Sequence, residues 1–314
     1  MTDTRLSTQQ LPVVAVIGPT ATGKSDLAVA LAQRLGGEII NADSMQLYRG
    51  MDIGTAKLRL AERGNVPHHL LDVWDIDKSA AVAEYQSLAR AAISDIHGRG
   101  LIPILVGGSG LYVRGTLDRL EFPGESAAIR DRLAAEADVV GAAAMHQRLR
   151  TLDPLAAEHI LPSNVRRIVR ALEVIELTGR PFTATMPGFD SIYDSVQIAL
   201  DRTDLDERVR LRVDIMLGLG LLDEVRGLLP LGLRQSPTAG KALGYQQLLE
   251  VLDDDGNVVG DLDSAIAATT RGTLRFVRRQ RSWFRRDPRT SWLDGSSVGL
   301  LDDALAQLPP RLIR

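Results

Sequence analysis

Short apolar runs and segments of helical periodicity alternate along the first third of the chain. The apolar runs cover residues 13–17, 38–42, 69–73 and 101–106. Runs of this kind are typical of parallel strands that helices cover on both faces. Residues 83–96 lie between the last two runs and carry apolar side chains at helical spacing. The pattern therefore predicts an α/β core in which helices flank a parallel sheet.

The pattern changes near residue 116. Residues 129–178 show only helical periodicity, one further strand is predicted at 196–200, and residues 205–283 are again mainly helical. We therefore predict two domains with different architectures. They are a core with a helical C-terminal part, residues 1–115 and 196–314, and a small all-helical insertion domain, residues 116–195. The core is P-loop NTPase-like, because the glycine-rich motif GPTATGKS follows its first apolar run.

A candidate phosphate loop follows the first apolar run and fits the pattern G-x-x-x-x-G-K-[ST]. It consists of Gly18, Pro19, Thr20, Ala21, Thr22, Gly23, Lys24 and Ser25. Such a loop needs a buried strand before it, glycines that let main-chain N–H groups face an anion, and a helix N-terminus behind it. We expect Lys24 to point at phosphate and the Ser25 hydroxyl to be available for Mg²⁺. The alternative is an ordinary glycine turn, and the motif does not specify the reaction.

Two more segments follow predicted strands at the edge where open parallel sheets bind ligands. Asp43 comes after the run 38–42, and Ser109 stands between glycines after the run 101–106. An aspartate beside a phosphate loop is able to hold Mg²⁺ through water or to act as a general base, and the alternative is a cap on the following turn. For Ser109, a tight turn and a ligand contact both remain open.

Composition narrows the class of protein. The 314 residues are 45% hydrophobic and 25% charged, which is ordinary for a globular enzyme. The first ten residues are polar and no run of eighteen apolar residues occurs, so we expect a cytoplasmic protein without signal peptide or membrane span. The chain has no cysteine, which excludes disulfides, thiolate catalysis and cysteine zinc sites.

The formal net charge of −3 hides an uneven distribution of arginine. Eight arginines and a single acidic residue, Asp287, lie between residues 271 and 289, interleaved with Phe276, Trp283 and Phe284. One interpretation is a core helix with a solvated side. The excess of positive charge favours the other, contact with an RNA backbone.

Eight segments of the chain resemble the tRNA dimethylallyltransferase (tRNA isopentenyltransferase) family. They are GPTATGKS at 18–25, NADSMQLYRGMDIGTAK at 41–57, PHHLLDV at 67–73, GGSGLYVRG at 107–115, NVRRIVRALEV at 164–174, RLRVDIMLGLGLLDEV at 210–225, ALGYQQL at 242–248 and RRQRSWFRRD at 278–287. These segments follow the family's order and span nearly the whole chain. The sequence departs from the family pattern at Leu274, where a basic residue is usual.

The resemblance implies transfer of a dimethylallyl group from its diphosphate to N6 of adenine 37, on the 3′ side of the tRNA anticodon. It implies that residues 18–25 bind the donor diphosphate, with Mg²⁺ near Ser25. It further implies that Lys24 and Arg212 stabilise the leaving diphosphate and that Asp43 is the general base. The implied partners are dimethylallyl diphosphate and a tRNA anticodon stem-loop, which the insertion domain at residues 116–195 is expected to contact. We expect the protein to be a monomer.

The resemblance also implies which residues contact the tRNA. An adenine stacked in the anticodon loop has to be extruded before it reaches a buried phosphate loop. The implied contacts are Asp43, Ser44, Met45, Gln46, Ser109, Arg130, Arg166, Arg167, Ile168, Val169 and Arg170. For the arginines at 166–170 a solvated helix face remains the alternative.

Three other functions compete with this one. A small-molecule kinase shares the phosphate loop and the strand-end aspartate, but it does not need a helical insertion and two arginine clusters. An adenylate isopentenyltransferase shares the chemistry, but it alkylates a free nucleotide and has little use for the arginine-rich C-terminal segment. A non-enzymatic RNA-binding module would not need a complete phosphate loop with Asp43 beside it.

Overall fold

The computed structural model describes residues 11–185 and 188–313. Within them the chain forms two compact units. One unit contains the residues up to Leu117 and those from Tyr193 onward, and the other is Asp118–Ile192. The boundaries predicted from the sequence, at 115/116 and 195/196, differ from these by two and three residues.

The larger unit is built on a six-stranded sheet in which all paired strands are parallel. The strands are β1 Val13–Ile17, β2 Gly37–Asn41, β3 His68–His69, β4 Ile102–Gly107, β5 Ser195–Asp201 and β6 Thr290–Asp294. Their order across the sheet is β3-β2-β4-β1-β5-β6. The predicted parallel α/β core flanked by helices is confirmed.

Twelve α-helices occur among the described residues. They are α1 Lys24–Leu35, α2 Val82–Gly98, α3 Gly110–Leu117, α4 Ala127–Val140, α5 Ala142–Leu152, α6 Pro154–His159, α7 Val165–Thr178, α8 Leu205–Gly218, α9 Leu221–Leu228, α10 Tyr245–Leu249, α11 Leu262–Phe284 and α12 Leu300–Leu305. Helices α4 to α7 belong to the smaller unit and the others to the larger one. None of the helices in the described ranges is long and apolar enough to cross a membrane.

The central strand β1 explains why the sheet is covered on both faces. All five of its residues are buried. Val13, Ala15 and Ile17 pack into one apolar cluster, whereas Val14 and Val16 pack into another. Because successive side chains of a strand point to opposite faces, this alternation places one cluster on each side of the sheet. A fully apolar strand is therefore what the two helical layers require.

Two strands differ from the prediction. The run 69–73 was expected to be a strand, but β3 ends at His69, because Leu70 and Asp72 have left-handed backbones with φ values of 61° and 57°. A left-handed residue turns the chain away from the extended conformation. The edge strand β6 was not predicted, because its residues are mixed in polarity and only partly buried. It pairs in parallel with β5, from Gln197 beside Thr290 to Asp201 beside Asp294.

The chain order brings three loops to one edge of the sheet. Strand β1 continues into residues 18–25, β2 into 42–46 and β4 into 108–110. All three strands are parallel neighbours, so their carboxyl ends lie side by side. After β4 the chain crosses to β5 on the other side of β1, and such a switch in strand order creates a crevice for ligands.

Candidate active site

The loop at 18–25 has the backbone of a phosphate-binding loop. Gly18 and Gly23 have φ values of 123° and 93°, and Ala21 also lies in the left-handed region at 66°. A Cβ atom at Gly18 would come within 2.5 Å of the main-chain oxygen of Leu200, so only glycine fits there. Lys24 is the first residue of α1, which places the loop at a helix N-terminus.

The loop is held by its own side chains and by α8. Thr22 Oγ1 and Lys24 Nζ both donate hydrogen bonds to the main-chain oxygen of Pro19, at 3.0 and 2.5 Å. Arg208 of α8 donates from Nε to the main-chain oxygen of Ala21 at 2.8 Å. These hydrogen bonds fix the carbonyls of Pro19 and Ala21, so the N–H groups of the loop that no described residue engages remain available to an anion.

Leu274, the position that departs from the family pattern, packs against the phosphate loop. It packs against a small apolar cluster that contains Ala21, Val209 and Val277. The leucine therefore fills space between α11, α8 and the phosphate loop.

Asp43 is held by a network at the end of β2. Its main-chain N–H donates to Asn41 Oδ1 at 2.9 Å, and its Oδ1 atom accepts from the N–H of Met45 at 3.0 Å. Asp43 is therefore a turn cap, as one interpretation of the sequence expected. The second carboxylate oxygen has no hydrogen bond with a described residue, and the side chain lines two cavities. The cap thus fixes the carboxylate and leaves one of its oxygens for a ligand.

Ser109 joins the loop after β4 to the loop after β2. Its hydroxyl oxygen accepts from the main-chain N–H of Ser44 at 3.1 Å and lies 3.3 Å from the hydroxyl of Ser44. A Cβ atom at Gly107 would lie 2.3 Å from the main-chain oxygen of Ala42, so the glycine permits this approach. Ser109 is therefore part of the turn, and it also lines the larger of the two cavities, so contact with a ligand stays a prediction.

Two cavities adjoin at Asp43. A polar cavity of about 230 Å³ is formed by the phosphate loop, and a more apolar cavity of about 320 Å³ lies beside it. The residues that line both are Thr20, Asp43, Thr55 and Arg212. Ser44 and Met45 line the larger cavity, and Gln46 lines the polar one. The arrangement offers an anion site and an apolar site that share a carboxylate and a guanidinium.

Two partly buried cations line the polar cavity. Burial and the charge of the neighbouring Arg212 together lower the pKa of Lys24 to about 7, although Asp43 acts in the opposite direction. Burial likewise lowers the pKa of Arg212, while the charge of Asp43 partly offsets that effect. Desolvation of two like charges is costly unless an anion joins them. The pair is therefore suited to bind a multiply charged anion such as a diphosphate.

The donor set of the polar cavity fits a magnesium ion that is shared with a phosphate ligand. The described residues contain no group of three His, Cys, Asp or Glu side chains that would hold a metal ion alone. Mg²⁺ usually takes only one or two protein oxygens and completes its octahedron with water and substrate phosphates. The Ser25 hydroxyl and the Asp43 carboxylate line this cavity and are oxygen ligands of that kind.

Glu224 and Tyr245 organise the wall of the larger cavity and were not singled out from the sequence. The Glu224 carboxylate accepts hydrogen bonds from the N–H groups of Asp52, Ile53 and Gly54 at 3.0, 2.7 and 3.1 Å, and from the Tyr245 hydroxyl at 2.5 Å. This carboxylate caps the turn that carries Thr55. No local sequence pattern indicates that Glu224 caps this turn, because about 170 residues separate the two along the chain.

In the smaller unit, Arg130 and Arg170 are tied to a buried carboxylate. Burial acts to raise the pKa of Glu173, but hydrogen bonds from Arg130, from Arg170 and from the N–H of Ser126 hold it below its ordinary value. The two arginines therefore neutralise Glu173 as part of the fold. Their side chains remain 41% and 30% exposed, so a further contact at their surface is open to them.

The run 166–170 separates into two faces of α7. Ile168 and Val169 are 0% and 5% exposed and belong to the apolar core of the smaller unit. Their side chains therefore face the core, and the expectation that the run 166–170 contacts tRNA stays a prediction. Arg166 and Arg167 are exposed, and neither forms an ion pair with any residue in the described part of the chain.

The arginine-rich segment also divides. Arg281 donates to Asp201 at 2.8 Å and to the main-chain oxygen of Arg202 at 2.7 Å, so it anchors α11 to the end of β5. Other arginines of α11 are exposed and have no ion pair with a described residue. These are Arg271, Arg275, Arg278 and Arg279. Helix α11 is therefore neither a plain core helix nor a uniformly basic one, since it has one anchored and one free face.

The sequence is similar to known proteins over most of its length. Residues 46–287 match the family described as IPP transferase. The chain is 63% identical to the tRNA dimethylallyltransferase of Streptomyces coelicolor over 285 residues, which cover 90% of each chain.

Two solved structures are also similar. The tRNA isopentenylpyrophosphate transferase of Bacillus halodurans is 41% identical, with a TM-score of 0.67 and coverage of 94% of this chain and 93% of that one. A eukaryotic dimethylallyltransferase described as acting on tRNA is 26% identical, with a TM-score of 0.79 and coverage of 95% and 77%. The match to the family extends from Gln46 to Asp287, and the chain therefore belongs to the IPP transferase family.

Proposed function

We propose that this chain transfers a dimethylallyl group from dimethylallyl diphosphate to N6 of adenine 37 in tRNA. The single observation that carries the proposal is the junction of the two cavities. The polar cavity has the cations for a diphosphate, the adjoining apolar cavity has room for a prenyl group and a base, and Asp43 and Arg212 face both. Chemistry that joins the two ligands would take place at that junction.

On the donor side of the reaction, the protein has to stabilise the charge that develops as the carbon–oxygen bond breaks. Cleavage of an allylic diphosphate leaves negative charge on the diphosphate, and pre-arranged cations and N–H groups stabilise that charge. Lys24, Arg212 and residues 21–25 of the phosphate loop line the polar cavity, where their cationic and main-chain N–H groups would stabilise that charge. A bound Mg²⁺ near Ser25 would neutralise part of the diphosphate charge.

On the acceptor side of the reaction, the adenine needs a general base. The N6 atom of adenine forms the new bond to the donor carbon while the carbon–oxygen bond to diphosphate breaks, and one N6 proton has to leave. Asp43 accepts that proton, since its Oδ1 is fixed by the N–H of Met45 and its other oxygen is unengaged by the described residues. Ser44, Met45 and Ser109 line the apolar cavity and would frame the extruded adenine.

The RNA would be held by exposed arginines rather than by every arginine that the sequence offers. Arg166 and Arg167 are exposed on α7, and Arg278 and Arg279 are exposed on α11. Cations without an acidic partner are able to neutralise phosphates without first breaking an ion pair. We also propose that the protein acts in the cytoplasm as a monomer.

Incubation with labelled dimethylallyl diphosphate tests the proposal. The acceptors are a tRNA transcript with adenine 37, the same transcript with guanine 37, AMP and ATP. We expect label only in the adenine transcript, with release of one diphosphate for each group transferred. Label in AMP or ATP would support the adenylate isopentenyltransferase instead. Phosphoryl transfer from ATP to a small molecule, without alkylation, would support a kinase.

A further inference from the structure

Gln280 joins two loops of the candidate active site through one side-chain amide. It lies on α11 and is only 5% exposed. Its Oε1 atom accepts a hydrogen bond from the main-chain N–H of Thr20 at 3.0 Å. Its Nε2 atom donates to the main-chain oxygen of Gly108 at 2.9 Å. The phosphate loop and the loop after β4 are therefore bridged by a residue that lies 260 positions from Thr20 and 172 from Gly108.

The loop after β4 is shaped to receive this turn of α11. A Cβ atom at Gly108 would lie 2.2 Å from Gln280 Nε2, and one at Gly110 would lie 2.1 Å from Trp283 Nε1. Both distances are far below van der Waals contact, so only glycines admit the helix at this depth. The glycines on either side of Ser109 thus have a packing role in addition to their role in the turn.

The chemistry of the bridge suits a carboxamide. One of its partners is an N–H and the other is a carbonyl, so the side chain has to accept and donate at the same time, which a glutamine amide does. A carboxylate of the same shape would accept only, and it would add a negative charge beside the diphosphate site. An apolar side chain of the same length would leave the buried carbonyl of Gly108 without its donor.

We propose that Gln280 is a positioning residue for the donor, holding Thr20 and the phosphate loop in the conformation that binds diphosphate. The inference rests on the proposed function for the identity of the anion. Gln280 also lines the polar cavity, whereas Arg278 and Arg279, two and one positions before it, are exposed. The same helix would therefore present arginines to RNA and fix the donor loop with Gln280.

Binding of inorganic diphosphate to the full-length protein tests this role without requiring alkyl transfer. Gln280→Met should weaken diphosphate binding by about 5- to 150-fold, which corresponds to about 1–3 kcal/mol for the loss of both hydrogen bonds. We expect tRNA affinity to stay within about twofold. Gln307→Met is the matched control, because Gln307 is an exposed amide of the same unit, and it should leave both affinities unchanged.

A second variant separates positioning from loss of structure. Gln280→Glu keeps the size of the side chain, but its ionised carboxylate is unable to donate to Gly108. We expect diphosphate binding at pH 8 to be at least as weak as in Gln280→Met. As the pH falls towards 5.5, binding relative to the wild type at the same pH should recover, because the protonated carboxyl again accepts and donates.

Two results would overturn the inference. One is diphosphate binding by Gln280→Met and Gln280→Glu that equals the wild type at pH 8. The other is an equal loss of tRNA and diphosphate affinity in both variants with no recovery at low pH, which would indicate only a structural role. Failure of the proposed function looks different, since wild-type protein would then bind diphosphate and yet alkylate no tRNA.

Discussion

Lys24 turns its ammonium back onto its own loop, where Nζ lies 2.5 Å from the main-chain oxygen of Pro19. The group is buried among the phosphate loop, Arg212 and Asp43. A carbonyl is a weaker partner for an ammonium than a diphosphate oxygen. We therefore expect the arrival of the donor to transfer this hydrogen bond from Pro19 to the ligand.

Donor binding should consequently take up a proton through Lys24. Burial and the charge of Arg212 lower the pKa of the free lysine to about 7, and a bound diphosphate would raise it. Protons are taken up where the free protein is deprotonated and the complex is protonated, which means above about pH 7. Calorimetry of donor binding in buffers of different ionisation enthalpy should show uptake of up to one proton at pH 8 and much less at pH 6.

Lys24→Met is the control for that experiment, because the protonation of the ligand itself is common to both proteins. The difference in uptake between wild type and variant is then the contribution of Lys24. Equal uptake by the two proteins at pH 8 would contradict the assignment of Lys24 as the titrating group.

Replacement of Arg212 by Met should have two effects. Loss of a charge-assisted hydrogen bond should weaken donor binding by about 10- to 100-fold, which corresponds to about 1.5–3 kcal/mol. Since Arg212 lowers the pKa of Lys24, its removal should also move the midpoint of proton uptake to higher pH. Arg210→Met serves as the control, because Arg210 is exposed on the same helix and lines neither cavity. An unchanged midpoint would show that Arg212 does not act on Lys24.

Replacement of Asp43 by Asn should affect the chemical step rather than binding. A general base contributes about 10² to 10⁴ in rate, so single-turnover alkylation should fall by that factor. The affinity for tRNA should remain within a few fold, because the Asn side chain is able to keep the cap on the N–H of Met45. Asp206→Asn, an exposed acid on α8, should react at the wild-type rate. Wild-type turnover by Asp43→Asn would remove the base assignment.

Exposed arginines without ion pairs should determine the salt dependence of tRNA binding. Each phosphate contact that is lost should reduce the slope of log affinity against log salt by about 0.7–0.9. The double variant Arg166→Ala with Arg167→Ala should therefore flatten that slope and leave diphosphate binding unchanged. Arg132→Ala is the matched control on the same unit, because Arg132 is already paired with Glu136 and Glu176. Equal slopes for the double variant and the wild type would show that Arg166 and Arg167 face solvent and do not contact tRNA phosphates.

Protonation of Glu38 at low pH should lower the free energy of unfolding of the protein. Hydrogen bonds from Arg99 lower the pKa of this carboxyl to about 2, despite its burial, and His69 adds to the effect. A lowered folded-state pKa contributes stability above the ordinary value of 4.5 that is lost as the pH falls towards 2. In urea unfolding, the free-energy difference between wild type and Glu38→Gln should therefore shrink between pH 5 and pH 2. A difference independent of pH would show that the pairing contributes nothing through charge.

The amino-acid sequence by itself determined the architecture of the core and the position of the phosphate loop. The apolar run 13–17 has to be buried on both faces, and Gly18 and Gly23 have to adopt left-handed backbones, so local chemistry alone fixes them. The aspartate after β2 could be located in the same way, because parallel strands bring their carboxyl ends to one edge. Strand β3 was predicted too long, because left-handed residues end it after His69, and the edge strand β6 was missed, because its mixed polarity gives no periodic signal.

Tertiary structure alone decided which polar side chains belong to the site and which support it. Arg130, Arg170 and Arg281 look like Arg166 and Arg278 in the sequence, but they lie beside Glu173 or Asp201 in space. Gln280 had one sequence signal, since it falls on the same helical stripe as the buried Val277 and Phe284. That it bonds Thr20 and Gly108 could not be predicted, because a hydrogen bond depends on distances and directions between atoms that the chain order does not record.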